Sequence, residues 1–208
     1  KKRLSDQKAK DLIDTLKAFK LLIDVYRPIS YRACATSAMR EADNGPMIIK
    51  KIKDEIGFDL HIIDGLKEAE IVATANEAAF QTDQPNSVFV DVGGGSTEIS
   101  IFESGRFVDA ASFKIGTIRL LNGLVEKDEW KRMHKWLNKH KKYYSEAVCI
   151  GSGGNINKLT NLYGNRINNI LNYKELKAGF KVLDSFTLEE RINIMGLRPD
   201  RADVIIPA

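Results

Sequence analysis

One short stretch of the sequence combines residue types that bind phosphate. Residues 90–100 read VDVGGGSTEIS, in which three consecutive glycines and two hydroxyl residues follow an apolar run. Glycines let the backbone curl so that several amide groups surround one anion, and hydroxyl groups are further donors. A plain β-hairpin with a glycine-rich turn has the same pattern, so two interpretations compete. The residues predicted to bind phosphate are Gly93, Gly94, Gly95, Ser96 and Thr97.

The acid beside these glycines favours the phosphate interpretation. Asp91 ends the apolar run, where a strand would fix its side chain next to the loop. A carboxylate repels phosphate, but it is suited to hold a hydrated Mg²⁺, or another divalent cation, that bridges to phosphate. The combination predicts phosphoryl-transfer chemistry.

A second glycine-rich turn lies further along the chain. Residues 150–155 read IGSGGN, with a predicted strand before them and a predicted helix after them. The N-terminal amides of such a helix bind anions or nucleotides, although the same turn also simply brings a helix close to a strand. The residues concerned are Gly151, Gly153 and Gly154.

Composition restricts the class of protein. The chain has 208 residues, 43% hydrophobic and 29% charged, which is typical of a soluble protein with one large or two small domains. Its apolar runs are too short to span a membrane. Cys34 and Cys149 lie in apolar runs and are expected to be buried free thiols, which favours a reducing, cytoplasmic location.

The first part of the chain alternates helices and strands. Periodic apolar residues predict helices at residues 6–26, 47–56 and 66–80, and strands at residues 30–35 and 58–63. This order predicts an α/β layer with a mainly parallel sheet.

Turn residues then mark a boundary. Residues 81–87 read QTDQPNS and form the predicted linker between a first domain, 1–85, and a second, 86–208. The second domain should contain strands at 88–92, 98–103 and 106–113, helices at 116–125 and 128–142, and the strand and helix around the second glycine turn. Three meandering strands, a helical crossover, a strand and a helix predict a ribonuclease-H-like fold.

The basic helix at residues 131–142 allows two interpretations. Its lysines are interleaved with aromatic residues, which is one signature of nucleic-acid binding. Helical spacing places Trp136 and Leu137 inward and the lysines outward, so a solvated face is favoured over nucleic-acid binding. The better functional interpretation is a positive rim that attracts a polyanion. His61, His134 and His140 lack metal-ligand spacing and are expected to be structural or surface residues.

Six ordered motifs together resemble one family. They are ATSAMREADNG (35–45), DGLKEAE (64–70), VFVDVGGGSTEIS (88–100), GTIRL (116–120), GSGGNINKL (151–159) and RADVIIPA (201–208). Their order and spacing resemble the exopolyphosphatase/guanosine pentaphosphate phosphohydrolase (Ppx/GppA) family. The resemblance implies an actin-like ATPase fold, that of the actin, sugar kinase and Hsp70 superfamily. In this fold, two ribonuclease-H-like domains close on a phosphate-bearing ligand.

The resemblance also implies residue roles. Glu68 resembles the general base that activates water, although Lys67 replaces an acid that the family usually has beside it. Asp91 resembles a ligand of the metal and water, and Glu98 resembles a carboxylate associated with the metal. Arg40 and Ser37 resemble residues of a phosphate channel, since a guanidinium can grip two phosphate oxygens.

The implied activity is release of terminal phosphate from inorganic polyphosphate or guanosine pentaphosphate, with Mg²⁺ as cofactor. No specific nucleic acid and no membrane are expected as partners, and a homodimer is compatible with the resemblance. The family's first phosphate loop would precede Lys1, and RADVIIPA normally leads into a further helix, so the fold is expected to be truncated at both ends. The alternative is a non-catalytic module that binds polyanions or nucleotides with its one phosphate loop.

Overall fold

A computed structural model describes residues 3–75 and 85–208 of the chain. It confirms the predicted α/β fold class. The chain divides into two compact units, Lys1–Glu68 and Ala69–Ala208, and the division falls within one helix. Residues 81–84 of the predicted linker and 76–80 of the predicted helix at 66–80 lie outside the described residues, whereas Asn86 and Ser87, predicted to belong to the linker, begin β3. The domain boundary at 85 stays a prediction.

The first unit is built on a short parallel pair of strands. β1 (Ala33–Ala35) pairs with β2 (Leu60–Ile62), and α4 (Gly65–Ala75) begins directly after β2. The other helices are α1 (Asp6–Tyr26), α2 (Ser37–Arg40) and α3 (Gly45–Ile56). α2 lies within the motif TSAMREADNG, for which no helix was predicted.

The core of this unit lies between α1, α3 and the strands. Its buried residues are Ile13, Leu16, Met39, Ile48, Ile52, Phe58 and Leu60. The predicted strand at 30–35 is shorter than expected, because α1 ends on Arg27 in the left-handed conformation and an irregular segment precedes β1.

The second unit contains a four-stranded mixed sheet in the order β5, β4, β3, β6. β3 (Asn86–Val92), β4 (Thr97–Glu103) and β5 (Arg106–Phe113) form the predicted antiparallel meander. β6 (Ala147–Ser152) runs parallel to β3, as the predicted crossover requires.

The helices of this unit are partly as predicted. α5 (Thr117–Leu121) is shorter than predicted, since Gly123 adopts a positive φ of 65° soon after it. α6 (Lys127–Lys139) is followed by a 3₁₀ turn at Lys141–Tyr143, and α7 (Gly154–Tyr163) follows β6. Three further helices were not predicted: α8 (Tyr173–Ser185), α9 (Leu188–Asn193) and α10 (Pro199–Ala202).

One face of the sheet packs against α6. Trp136, Met133 and Leu137 contact the buried cluster around Phe113 and Ile99, so Trp136 and Leu137 face inward as predicted. His140 closes the end of α6. Its Nδ1 lies 2.9 Å from the Trp136 carbonyl oxygen and its Nε2 lies 3.0 Å from Asp109 Oδ2, which gives it a structural role.

The prediction that both cysteines are buried is wrong. Cys34 on β1 is half-buried and Cys149 on β6 is exposed. β6 is an edge strand, and a cavity of about 470 Å³ separates Cys149 from α8, so an apolar run on this strand does not imply burial. None of the helices in the described ranges has the length and apolar character needed to cross a membrane.

The packing of α6 on the sheet gives a stability prediction. Phe113 is fully buried, its ring centroid lies 5.9 Å from that of Trp136, and the Arg132 guanidinium lies over its face. We expect Phe113→Ala to lower the free energy of unfolding of this unit by about 3–5 kcal/mol. Both tryptophans of the sequence, Trp130 and Trp136, lie on α6, so urea unfolding followed by tryptophan fluorescence reports on this unit.

Phe107→Ala is the matched control. Phe107 is also on β5 but is 58% exposed, with an edge-to-face contact to Phe102. This change should cost less than about 1.5 kcal/mol. Equal losses for the two variants would show that α6 does not depend on Phe113.

Candidate phosphate-binding site

The glycine-rich stretch forms the tip of the β3–β4 hairpin. Residues 93–96 connect the two strands, and the Gly93 amide donates to the Ser96 carbonyl at 2.9 Å. The hairpin interpretation is therefore correct for the backbone. Whether this hairpin can also bind phosphate depends on the direction of its remaining amide groups.

Three consecutive carbonyl groups of this glycine loop are engaged by α5. Two of the donors are backbone amides of the first turn of α5, and the third is an arginine side chain. The hydrogen bonds run from the Thr117 amide to Gly93 O (3.0 Å), from the Ile118 amide to Gly94 O (2.9 Å) and from Arg119 Nε to Gly95 O.

The direction of the carbonyls fixes the direction of the amides. In a trans peptide the C=O and the following N–H point in opposite directions, and none of the described peptide bonds is cis. The amides of Gly94, Gly95 and Ser96 therefore point away from the α5 atoms that hold the carbonyls. Successive amides arranged in this way form a concave site for an anion.

Gly116 permits this arrangement. An added Cβ at Gly116 would lie 2.5 Å from the Gly94 carbonyl oxygen and 2.6 Å from the carbonyl carbons of Gly94 and Gly95. The backbone angles of Gly116, φ −139° and ψ 161°, are available to any residue. Close approach to the loop, and not backbone conformation, thus requires glycine here.

A row of four polar side chains crosses the sheet beside the loop. The strand registers place Ser112, Glu98, Asp91 and Ser152 opposite one another on β5, β4, β3 and β6. Ser112 Oγ donates to Glu98 Oε1 at 2.6 Å, and Ser152 forms a side-chain hydrogen bond with Asp91. The two predicted metal-associated carboxylates are therefore neighbours on one face, and each has a serine beside it.

The two carboxylates differ in their surroundings. The Glu98 side chain is buried, and the residue is 2% exposed. Asp91 is half-buried, and burial raises the pKa of its carboxyl group while the hydrogen bond from Ser152 opposes that rise. A nearby cation would favour the ionised form of such a carboxylate. Within residues 3–75 and 85–208, no cluster of three histidine, cysteine, aspartate or glutamate side chains could hold a metal ion.

The two hydroxyl residues of the loop have different surroundings. Ser96 is buried in the turn. Thr97 begins β4 on the face opposite Glu98, because side chains alternate along a strand, and its hydroxyl donates to the Ile115 carbonyl. A hydroxyl has one hydrogen to donate, so the Thr97 side chain is used within the protein in this structure and not as a donor to phosphate.

The second glycine turn precedes α7 as predicted. Gly153 caps the helix with a φ of 105°, and Gly151, the second-last residue of β6, lies so close to Ile156 that an added Cβ would be 2.8 Å from its side chain. An added Cβ at Gly154 would clash with the guanidinium of Arg201, and Arg201 Nη1 donates to Asn155 Oδ1 at 2.6 Å. Sequence reasoning assigned no role to Asn155 or Arg201, although the motifs GSGGNINKL and RADVIIPA contain them.

In the first unit, the structure brings Arg40 and Glu68 together. Arg40 Nη1 donates to the Ile63 carbonyl at 2.6 Å and lies 3.7 Å from Glu68 Oε2. Asp64 accepts a hydrogen bond from the Lys67 amide at 2.8 Å and so fixes the start of α4, which carries Glu68. Ser37 begins α2, the helix that ends with Arg40.

The predicted site residues therefore form two groups. Arg40, Ser37 and Glu68 belong to the first unit. The second unit contains the glycine loop, Asp91, Glu98 and the second glycine turn.

Comparison with known proteins identifies the family. The sequence model of the Ppx/GppA phosphatase family matches residues 1–208. The chain belongs to the Ppx/GppA family. The Ppx/GppA resemblance seen in the six motifs is thereby confirmed.

The curated relatives of this Ppx/GppA chain carry several names. It is 31% identical over 122 residues to a bifunctional 3-dehydroquinate synthase/phosphatase of Fusobacterium nucleatum, covering 57% of this chain and 18% of that protein. It is 22% identical to exopolyphosphatase 1 of Mycobacterium leprae, covering 98% of this chain and 66% of that protein. It is 25% identical to a guanosine-5'-triphosphate,3'-diphosphate pyrophosphatase of Photobacterium profundum, covering 82% of this chain and 37% of that protein. The chain thus spans less than two-thirds of the length of each of these relatives.

A solved structure agrees with the fold. The crystal structure of an exopolyphosphatase from Cytophaga hutchinsonii superposes with a TM-score of 0.81 at 25% identity, covering all of this chain and 73% of that one. The Ppx/GppA fold is therefore confirmed by sequence and by structure.

The contact between Gly116 and the loop gives a prediction for this Ppx/GppA chain. In Gly116→Ala, the added Cβ should separate the loop carbonyls from α5 and so change the direction of the Gly94, Gly95 and Ser96 amides. Each hydrogen bond from an amide to a charged phosphate contributes about 1.5–3 kcal/mol, so we expect the affinity for tripolyphosphate to fall by about tenfold or more. Isothermal titration calorimetry measures this affinity.

Gly123→Ala separates loop displacement from general strain. Gly123 has a positive φ of 65°, and no atom of the described part of the chain lies within 4 Å of an added Cβ, so this change strains the backbone without touching the loop. It should lower stability and leave the tripolyphosphate affinity unchanged. Unaltered affinity in Gly116→Ala would contradict the role of the loop.

Proposed function

We propose that this Ppx/GppA protein hydrolyses the terminal phosphoanhydride bond of inorganic polyphosphate or guanosine pentaphosphate. The observation that carries the proposal is the direction of the Gly94, Gly95 and Ser96 amides, which the carbonyl hydrogen bonds to α5 leave pointing away from α5 and available to a ligand. Names of relatives support the same substrate class, since they include an exopolyphosphatase and a guanosine-5'-triphosphate,3'-diphosphate pyrophosphatase.

In the proposed reaction, a water oxygen attacks the terminal phosphorus in line with the bridging oxygen that leaves. Glu68 accepts the proton of the attacking water, and the leaving phosphate keeps the electron pair of the broken P–O bond. Phosphoryl transfer requires chiefly positioning and neutralisation of charge, and the loop amides can supply both at the phosphoryl oxygens.

Arg40 is placed to assist Glu68. A guanidinium has five N–H donors, and the bond to the Ile63 carbonyl uses one of them. That bond fixes the guanidinium beside the Glu68 carboxylate. The remaining donors suit the oxygens of a phosphate chain, which is the role implied by the family.

The carboxylates of the second unit fit a magnesium ion. Mg²⁺ in phosphoryl-transfer sites is typically held by one or two carboxylates, water and substrate phosphates, so three protein ligands are not required. Asp91, whose burial raises its carboxyl pKa, is the residue we assign to the ion, with Glu98 as its neighbour across the strand pair. The ion would neutralise charge on the phosphate oxygens.

Replacement of the general base tests the proposal. We expect Glu68→Gln to lower kcat for phosphate release from long-chain polyphosphate by about 10²–10⁴-fold, because glutamine cannot accept the proton of water. Glu70→Gln removes an equal charge from the same helix two residues away and should leave kcat unchanged. Phosphate release is measured in parallel with guanosine pentaphosphate as substrate.

The outcomes distinguish the alternatives. Equal activity of the wild-type and Glu68→Gln proteins would show that Glu68 is not the base. Binding of polyphosphate without release by any of the three proteins would favour the non-catalytic polyanion-binding module.

A further inference from the structure

The segment from α6 to the following turn carries the strongest charge of the molecule. Residues 127–142 contain seven lysine or arginine residues and two acids, a net charge of +5. The whole chain has a net charge of +4, so all other residues together carry a net charge of −1. A concentration of one sign on a single helix predicts an oppositely charged partner.

Four lysines of α6 form a regular ladder. Lys127, Lys131, Lys135 and Lys139 are spaced by four residues, which makes successive members neighbours on the helix surface, and all four are exposed. The opposite face of the helix, with Trp136, packs on the sheet. The ladder therefore has a fixed orientation and faces solvent.

The ladder does not contribute to folding in an evident way. Like charges spaced by four residues destabilise a helix, and the ladder contains three such pairs. Lys131 pairs with Asp128 and Lys139 with Asp109, but these pairs are exposed and such pairs contribute little. Among the described residues, Lys127 and Lys135 form no ion pair. Lys127 is also the first residue of α6, where the helix dipole disfavours a cation.

We propose that the lysine ladder of α6 is a second binding surface for long inorganic polyphosphate, separate from the glycine loop, since α6 packs on the sheet face opposite Asp91 and Glu98. The inference rests on the proposed function and adds to it a preference for long chains. Lysine is a compact point charge that attracts a phosphate chain without requiring a fixed geometry. Successive lysines along the helix match a ligand with a regularly repeated charge.

The same surface lacks the features that recognise nucleic acid. The ladder contains no arginine fork of the kind that reads base edges. Proteins that bind single-stranded nucleic acids stack the bases on several aromatic side chains. Of the two α6 tryptophans, Trp136 packs edge-on against Phe113, and Trp130 is 40% exposed. Bare polyphosphate therefore fits the ladder better than RNA or DNA.

A binding experiment without turnover tests the inference. We compare Glu68→Gln protein with the same protein carrying Lys127→Gln, Lys131→Gln and Lys135→Gln, and measure affinity for long-chain polyphosphate and for tripolyphosphate at several salt concentrations. The ladder variant should bind long-chain polyphosphate at least about tenfold more weakly, and the slope of log K against log salt should become shallower by about two for three lost contacts. Its affinity for tripolyphosphate should be unchanged.

A matched variant controls for net charge. Lys174→Gln, Lys177→Gln and Lys181→Gln remove the same three charges from α8 in the same unit and should leave both affinities unchanged. Because the ladder repels itself, its removal should maintain or raise the urea midpoint, so weaker binding cannot arise from unfolding. Equal long-chain affinity of the ladder variant and the α8 variant would overturn the inference.

Two further results separate the inference from the proposed function. If the wild-type protein releases no phosphate but its long-chain binding still depends on the ladder, the proposed function fails while the ladder is supported. If single-stranded DNA binds through the ladder as tightly as polyphosphate at equal phosphate concentration, the claim that polyphosphate is the specific partner of the ladder is overturned.

Discussion

The hydrogen bonds between the glycine loop and α5 determine what this site can bind. Each loop carbonyl that α5 engages turns the next amide the other way, so α5 sets the direction of the loop amides through the backbone. Gly116 makes the close approach possible, and Thr97 anchors the base of the hairpin to the Ile115 carbonyl on the opposite face. The motifs GGGST and GTIRL are therefore two parts of one backbone arrangement.

The charges of the site follow from the same sheet. Asp91 and Glu98 are opposite one another because β3 and β4 form a hairpin, and the neighbouring strands contribute the serines that flank them. Two carboxylates beside the glycine loop would repel a phosphate bound there unless a cation bound with it. For this reason we assign a magnesium ion to Asp91. Within the first unit Arg40 lies beside Glu68, and within the second unit α6 carries excess positive charge at its surface.

Sequence patterns predicted the parts of the fold that depend on local periodicity. Helix α1, the β3–β5 meander and the inward face of α6 were correct because each has a regular apolar repeat. The predicted burial of Cys149 was wrong because an apolar strand at a sheet edge need not be covered by other elements. Helices α8 to α10 were missed, although Asn172 and Glu175, like Thr187 and Glu190, form capping boxes that could have indicated where α8 and α9 begin. The bonds of Thr97 with Ile115, and of Arg201 with Asn155, join residues that only tertiary packing brings together.

The central claim is that the Gly94, Gly95 and Ser96 amides bind phosphate. Amide chemical shifts from ¹⁵N-labelled protein, recorded as tripolyphosphate and Mg²⁺ are added, test it most directly. Our account predicts large downfield shifts of these three amide protons, which gain a charged acceptor. It predicts small changes at Thr117 and Ile118, whose amides already donate to the loop carbonyls. Saturable binding that leaves the three loop amides unshifted would contradict the account.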